Sequence, residues 1–197
     1  NLGKLGFLSD IGMREMEKSL DELIHNRYKI QKRMLLKVTL KREGKILFSD
    51  RALNDAVLYK GETPRLTEIK VYSNKQFVLD TRCDGVVVSS PTGSTAYSLS
   101  AGGPLLSPVM DAIIVAPLNP HILSVRPMVF AATDKLSFRI MESHADCVLQ
   151  LDGRNAARLQ EADEITVSSD SRKLEMIKLS NKTFYQILRT KLNMGRK

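Results

Sequence analysis

The spacing of apolar residues changes along this chain, and each spacing predicts an element. Met13, Met16, Leu20, Leu23 and Ile24 recur every turn of a helix, with Ser9 or Asp10 placed to cap it, which predicts a helix over 11–25. The period then drops to two. Met34, Leu36, Val38 and Leu40 alternate with Leu35, Lys37, Thr39 and Lys41, the mark of a strand buried on one face. Glu43-Gly44 reads as a hairpin turn into a strand over 45–49, and further strands are predicted at 53–59, 66–72 and 76–81, with Ser73-Asn74 as a turn. The strand signal returns at 112–116, 128–132, 136–141 and 147–151. An Asp152-Gly153 turn follows, then strands at 164–168 and 174–179. Phe184, Ile187, Leu188 and Leu192 fit one face of a C-terminal helix, and no internal repeat is visible.

Short strands separated by turns about every eight to twelve residues favour packed sheets over alternating strand–helix units. The expected fold is α+β but mainly β. It consists of a linker segment and helix over 1–27, a multi-stranded sandwich-like domain over 28–180, and a helix with tail over 181–197. With 43% hydrophobic and 26% charged residues in 197, the composition is globular rather than disordered or fibrous. Cys83 and Cys147 lie far apart without Cys-x-x-Cys spacing, which argues against a disulfide scaffold or zinc ribbon and suits a reducing, cytoplasmic setting. The longest apolar stretch, 105–118, is broken by Pro108, Asp111 and Pro117, so no transmembrane helix is expected, and no signal peptide opens the chain. The first residue is Asn1 rather than Met, and 1–7 reads like the middle of a longer protein, so a fragment is expected.

Charge refines the picture. The formal net charge is +8, with eight basic residues from Arg27 to Lys45 against Glu43 alone, and eight more from Arg172 onward against Glu175. Between Gly85 and Val125 the only formal charge is Asp111. A basic chain suits nucleic acid, anionic lipid or phosphorylated small molecules. The basic residues of the early strand alternate with apolar ones, however, as a solvated strand face does. No zinc-finger spacing or RRM-type aromatic signature accompanies them, so no nucleic-acid partner is expected.

The uncharged centre carries the chemistry. Residues 84–104 read DGVVVSSPTGSTAYSLSAGGP: a buried strand at Val86, Val87 and Val88, then a loop dense in small hydroxyl residues leading to a helix near Ala96. Hydroxyls and free backbone N–H groups at a strand end suit phosphate and ribose groups, although such residues also dominate ordinary turns. Neither a Gly-Lys-Ser/Thr phosphate loop nor a G-x-G-x-x-G fingerprint is present. Ser94 lacks the G-x-S-x-G setting of a hydrolase nucleophile, and none of His25, His121 and His144 has the context of its base. Those three histidines have no metal-ligand spacing either, so no metal residues are assigned.

The run PTGSTAYSLSAGGP closely resembles the signature of the NAD kinase family, the polyphosphate/ATP-NAD kinases. The likeness covers essentially the whole chain. The stretch 3–8 resembles the junction between that family's two domains, and Asn54-Asp55 takes the place of its Asn-Glu pair. Arg82-Cys83-Asp84-Gly85, Pro120-His121, Arg126-Pro127, Asp152-Gly153 and Lys191-Leu192 fall in register. The resemblance implies transfer of the terminal phosphoryl group of ATP, or of polyphosphate, to the adenosine 2′-hydroxyl of NAD, giving NADP. It also implies Mg²⁺ or another divalent cation with the ATP, and a homodimer or homotetramer whose subunits share the pocket.

Residue by residue, the likeness implies that Asn54 and Asp55 contact the adenosine part, Asp55 near its ribose hydroxyls. Thr95, Ala96 and Tyr97 would line the adenine pocket. Asp84, Thr92 and Ser100 would hold the nicotinamide riboside half, and Arg82 would offset phosphate charge. The family's catalytic carboxylate belongs to a Gly-Gly-Asp-Gly motif. This chain has no such run, so no catalytic residue is carried over and the chain alone is expected to be inactive. Asp55 stands where Glu is commoner, one methylene shorter, and Ser90 where Thr is frequent. Two other readings are weighed: a lipid or sphingoid kinase of the same superfamily, and a basic nucleic-acid-binding module.

Overall fold

The computed structural model describes residues 7–8, 11–62, 64–142 and 147–194. Most of the 3–8 stretch, the caps Ser9 and Asp10, and His144 fall outside them. Among the described residues there are two six-stranded sheets. The first has the order β2 (Lys45–Ala52), β1 (Lys29–Arg42), β12 (Glu164–Lys178), β9 (Leu136–Glu142), β4 (Thr67–Ser73), β5 (Gln76–Cys83). The second has the order β11 (Arg154–Arg158), β10 (Val148–Leu151), β3 (Asp55–Tyr59), β6 (Gly85–Ser89), β7 (Ala112–Leu118), β8 (Met128–Ala131). Three helices accompany them: α1 (Met16–Ile24), preceded by a 3₁₀ turn at Met13–Glu15, the short α2 (Tyr97–Ser100), and α3 (Phe184–Lys191). The fold is mainly β, as expected. No helix among the described residues is long and apolar enough to cross a membrane.

The chain divides into two compact units, Met34–Leu174 on one hand and Asn1–Arg33 with Glu175–Lys197 on the other. In the first, the alternation read in β1 is realised: Met34, Leu36, Val38 and Leu40 are all buried. They join Ile69, Phe138 and Ile165 from the same sheet, and Leu58, Val86, Val88, Ile113 and Leu149 from the other, in one core. Each fully buried side chain of this size contributes roughly 1.5–3 kcal/mol.

The second sheet buries its other face too. Val57, Val87, Ile114, Ala116 and Leu118 pack with Leu106, and Ala101 lies against them. All residues of β6 and β7 are therefore buried, which explains their unbroken apolar runs. The hydroxyl-rich segment after β6 supplies part of this second layer.

Turn chemistry sets the hairpins. Glu43 and Gly44 both have positive φ (49° and 77°), joining β1 to β2, and Asp152 and Gly153 (47° and 76°) join β10 to β11. Between β4 and β5 the positive-φ pair is Asn74-Lys75 (51° and 70°), one residue beyond the expected Ser73-Asn74. Asn74 tolerates that conformation, and its side chain is held by the Lys135 amide and Asp134.

In the smaller unit, α3 starts with the capping box of Thr183 and Gln186 and buries Leu188. No residue of α1 is buried, and Met16, Leu20 and Ile24 are exposed. Periodicity thus predicts this helix correctly while saying nothing about what its apolar stripe packs against.

Candidate functional site

β3 and β6 run antiparallel with Asp55 opposite Ser89 and Tyr59 opposite Gly85. Asn54-Asp55 therefore lies beside the point where β6 gives way to the hydroxyl-rich loop. The contact is stitched by backbone groups: the Ser90 amide donates to Asn54 O (2.9 Å), the Ser89 hydroxyl donates to the same oxygen (3.1 Å), and the Ser90 hydroxyl donates to Leu53 O. The Gly93 amide donates to Ser90 Oγ at 3.2 Å, closing the turn.

Two hydroxyls of the loop are spent on its own shape. Ser94, fully buried, donates to Pro91 O (2.7 Å) and accepts from the Leu106 amide (3.1 Å), tying the loop to the chain beyond α2. That assignment removes Ser94 as a hydrolase nucleophile. Thr95 Oγ1 donates to Thr92 O at 3.3 Å. Thr92 is different: it is buried and its Oγ1 has no hydrogen-bond partner among the described residues, an unused polar group of the kind that needs a partner.

Asp55 is only 5% exposed, and its carboxyl is pushed up to about 6, by burial first and by the nearby Asp152 charge second. Asp84 stands at the opposite end of β6, about 16 Å away at five strand residues. Burial pushes the Asp84 carboxyl up, but the Asn119 amide (2.8 Å) and the Lys60 ammonium (2.8 Å) outweigh it and hold it below the ordinary value. Tyr97, on α2, feels the charge of both. Its hydroxyl is raised by burial, then by the charges of Tyr59, Asp84 and Asp55, while the side chain stays open to solvent. Ala96, which precedes this short helix, is half-buried, and Ser100 at its end is exposed.

Eight of the nine residues named from the sequence therefore lie along β3, β6 and α2, next to them, or in the loop that joins β6 to α2. The ninth, Arg82, belongs to β5 of the other sheet. Its Nε pairs with Glu68 at 3.2 Å, and it lines a cavity of about 190 Å³ with Glu68, Asp80, Thr81, His121 and Ile122. Lys60, Asn119 and Asp152 were not legible beforehand. Lys60 and Asn119 stand alone among unremarkable neighbours, while Asp152 is marked by its Asp-Gly turn and by the family register but by nothing that tells its role.

Part of the basic strand is paired with carboxylates: Lys32 with Glu175 at the surface, and Arg42 with the buried Asp163. Among the described residues, no three His, Cys, Asp or Glu side chains gather as metal ligands would.

Fold and site define a two-sheet β domain that presents two carboxylates, a buried free hydroxyl and an aromatic ring on β3, β6 and the segment from β6 to α2, a set suited to a polar ligand with a flat ring. The family model of the ATP-NAD kinase C-terminal domain matches residues 53–179, and the chain belongs to that family. The NAD kinase of Magnetococcus marinus is 40% identical over 193 residues, which is 98% of this chain and 64% of that protein. The NAD kinase of Heliobacterium modesticaldum is 38% identical over 196 residues, 100% of this chain and 69% of that protein. The crystal structure of yeast NADH kinase complexed with NADH superposes with a TM-score of 0.92 at 32% identity, over 100% of this chain and 58% of the other. An NAD kinase from Archaeoglobus fulgidus in complex with ATP shares the fold, with a TM-score of 0.80 at 21% identity, over 99% and 73%. The chain thus spans about two thirds of the curated relatives it matches.

Proposed function

We propose that this chain is the dinucleotide-binding part of an NAD kinase, an enzyme that transfers the terminal phosphoryl group of ATP to the adenosine 2′-hydroxyl of NAD and yields NADP. The observation that carries the reading is that Asp55 and Asp84 both act electrostatically on the Tyr97 hydroxyl, in a segment that also carries the unsatisfied Thr92 hydroxyl. A dinucleotide is a long ligand with a ribose at each end, and carboxylates are the natural acceptors for ribose hydroxyls. Asn54 and Asp55 hold the adenosine end, with Tyr97 packing on the base and Thr95 and Ala96 beside it. Asp84, Thr92 and Ser100 hold the nicotinamide riboside, and Arg82 adds positive charge near the phosphates.

Phosphoryl transfer asks a protein mainly for positioning and charge neutralisation. This chain supplies the first: its Asn54 and Asp55 hold the acceptor ribose in place. The second falls to a divalent cation such as Mg²⁺, carried in on the phosphates of ATP, since the described residues offer no ligand set of their own. Polyphosphate is the alternative donor. A homodimer or homotetramer in the cytoplasm completes the reading.

Calorimetric titration of the chain with NADP tests it, with free phosphate as control. Saturable binding that Asn54→Ala and Tyr97→Ala each weaken measurably is the expected result. Absence of binding by folded chain would defeat the reading. Incubated with NAD and MgATP, the chain by itself is expected to form no NADP, since it contains no Gly-Gly-Asp-Gly run.

A further inference from the structure

On the β10 side, the ladder of β3 stops at Ala56 opposite Leu151. The amides just before it would be left without strand partners. One side chain takes all three. Asp152 accepts from Leu53 N at Oδ2 (2.9 Å) and from Asn54 N and Asp55 N at Oδ1 (2.7 and 3.2 Å). Its own amide donates to Asp55 O at 3.0 Å. The carbonyls of Leu53 and Asn54 meanwhile accept from Ser89 and Ser90. The Asn54-Asp55 corner is therefore gripped on its N–H side by a carboxylate 97 to 99 residues away and on its C=O side by the β6 loop.

An Asp-Gly turn needs no such cradle. At a two-residue hairpin turn with positive φ, Asn serves as well as Asp. What Asp adds is a second acceptor oxygen, and with it the capacity to hold three amides at once; Asn offers one oxygen and two donors that face the wrong way.

We propose that Asp152 is the positioning residue of this site: its carboxylate aims Asn54 and Asp55 at the dinucleotide without touching it. The proposal rests on the reading of the preceding subsection. Asp152 acts through backbone geometry, so its contribution should shrink once one of the two side chains it aims has been removed.

The test is a cycle of NADP titrations on the full chain: wild type, Asp152→Asn, Asn54→Ala and the double variant. Asp152→Asn is expected to keep the hairpin and to weaken NADP roughly tenfold or more, the worth of bonds to a charged acceptor. The double variant is expected to lose less than the sum of the two single losses, the mark of residues that act through one another. Fully additive losses, or wild-type affinity in Asp152→Asn, would overturn the positioning role while leaving the dinucleotide reading intact. A wild-type chain that ignores NADP would defeat that reading and take this proposal with it. Hydrogen exchange on unliganded wild type supplies an arm that needs no variant to fold. The amides of Leu53, Asn54 and Asp55 should be protected like ladder amides, and free exchange at all three would sink the cradle.

Discussion

Gly93 lies directly against Asn54: a Cβ on Gly93 would sit 2.1 Å from the Asn54 carbonyl oxygen and 2.6 Å from Ser89 Oγ. The neighbour is backbone already committed to Ser89 and Ser90, so it has little room to give. The loop can approach the Asn54-Asp55 corner only because position 93 has no side chain. Gly93→Ala is predicted to cost about 1–3 kcal/mol, as overpacking does, and to weaken NADP by displacing Thr92 and Thr95. Gly44→Ala is the control. Its site is open, so only the positive φ of 77° resists, and a loss of about 1 kcal/mol with unchanged NADP binding is expected. Urea denaturation and NADP titration of the two variants separate the cases.

Asp55 makes stability and binding pull in opposite directions. Its carboxyl titrates near 6 in the folded chain against 3.8 ordinarily, so the folded chain holds this proton more tightly than the unfolded one. Ionising it therefore costs stability, and the cost is absent below the unfolded value, grows from 3.8 to about 6, and is complete above. That difference corresponds to about 3 kcal/mol at neutral pH. Asp55→Asn is expected to raise the urea midpoint at neutral pH, to give no gain below about pH 4, and to weaken NADP most at neutral pH, where the wild-type carboxylate is charged. Wild-type affinity for NADP should fall as pH drops through about 6.

How much of this was legible beforehand depends on what carried each signal. Apolar patterning gave β1, with its buried even-numbered positions, and the doubly buried β6. Turn residues gave the hairpins at Glu43-Gly44 and Asp152-Gly153. The strand after that second turn was missed, because Arg154–Arg158 is an edge strand of mixed exposure with only Ala156 and Ala157 as apolar residues. β12 was read as two strands, yet it is one of 15 residues, Glu164–Lys178. The polar stretch that suggested a break includes Asp170, which is 6% exposed and paired with Arg51 at 2.8 Å, so an ion pair replaces the expected apolar contact. At the site, individual residues became legible through the family likeness. The Asp152 cradle did not, since its partners lie almost a hundred residues away and hydrogen bonding to backbone leaves no mark on the partner's sequence.

Tyr97 offers a split between ring and hydroxyl. It stands on the exposed side of α2, so its removal should leave the core undisturbed. If the ring stacks on a base, Tyr97→Phe should bind NADP within about threefold of wild type, whereas Tyr97→Ala should lose roughly 1–3 kcal/mol, the usual worth of base–aromatic stacking. Equal losses in both variants would instead assign the work to the hydroxyl.

Both cysteines are buried and free, and burial pushes the Cys83 thiol up to about 12. A thiol that stays protonated and covered is a poor nucleophile. The native chain is expected to resist alkylation at neutral pH and to expose both thiols only with global unfolding. Intact-mass measurement across a urea series checks this. Labelling at Cys83 well below the unfolding midpoint would show that the end of β5 opens by itself, and with it the backbone next to Asp84.

The pair that closes the far end of β1 is lopsided, and the lopsidedness can be measured. Asp163 has a fully buried side chain, while that of Arg42 is 29% exposed. Arg42 grips it through Nε and Nη2, both at 2.8 Å, and the Gln160 amide donates to Oδ2 at 2.8 Å. Removing the arginine strands a buried carboxylate, whereas removing the carboxylate frees a guanidinium that can turn to water. Arg42→Met is therefore expected to cost about 3–5 kcal/mol, the usual penalty for a buried charge left without its partner. Asp163→Asn should cost less, because Asn still accepts one bond and its neighbour rehydrates. Neither side chain enters the hydrogen bonds of the candidate site, so NADP affinity of the folded fraction should hold in both variants. Equal destabilisation, or a larger loss in Asp163→Asn, would mean that the pair's worth lies in ordering the 160–163 turn rather than in neutralising the buried charge.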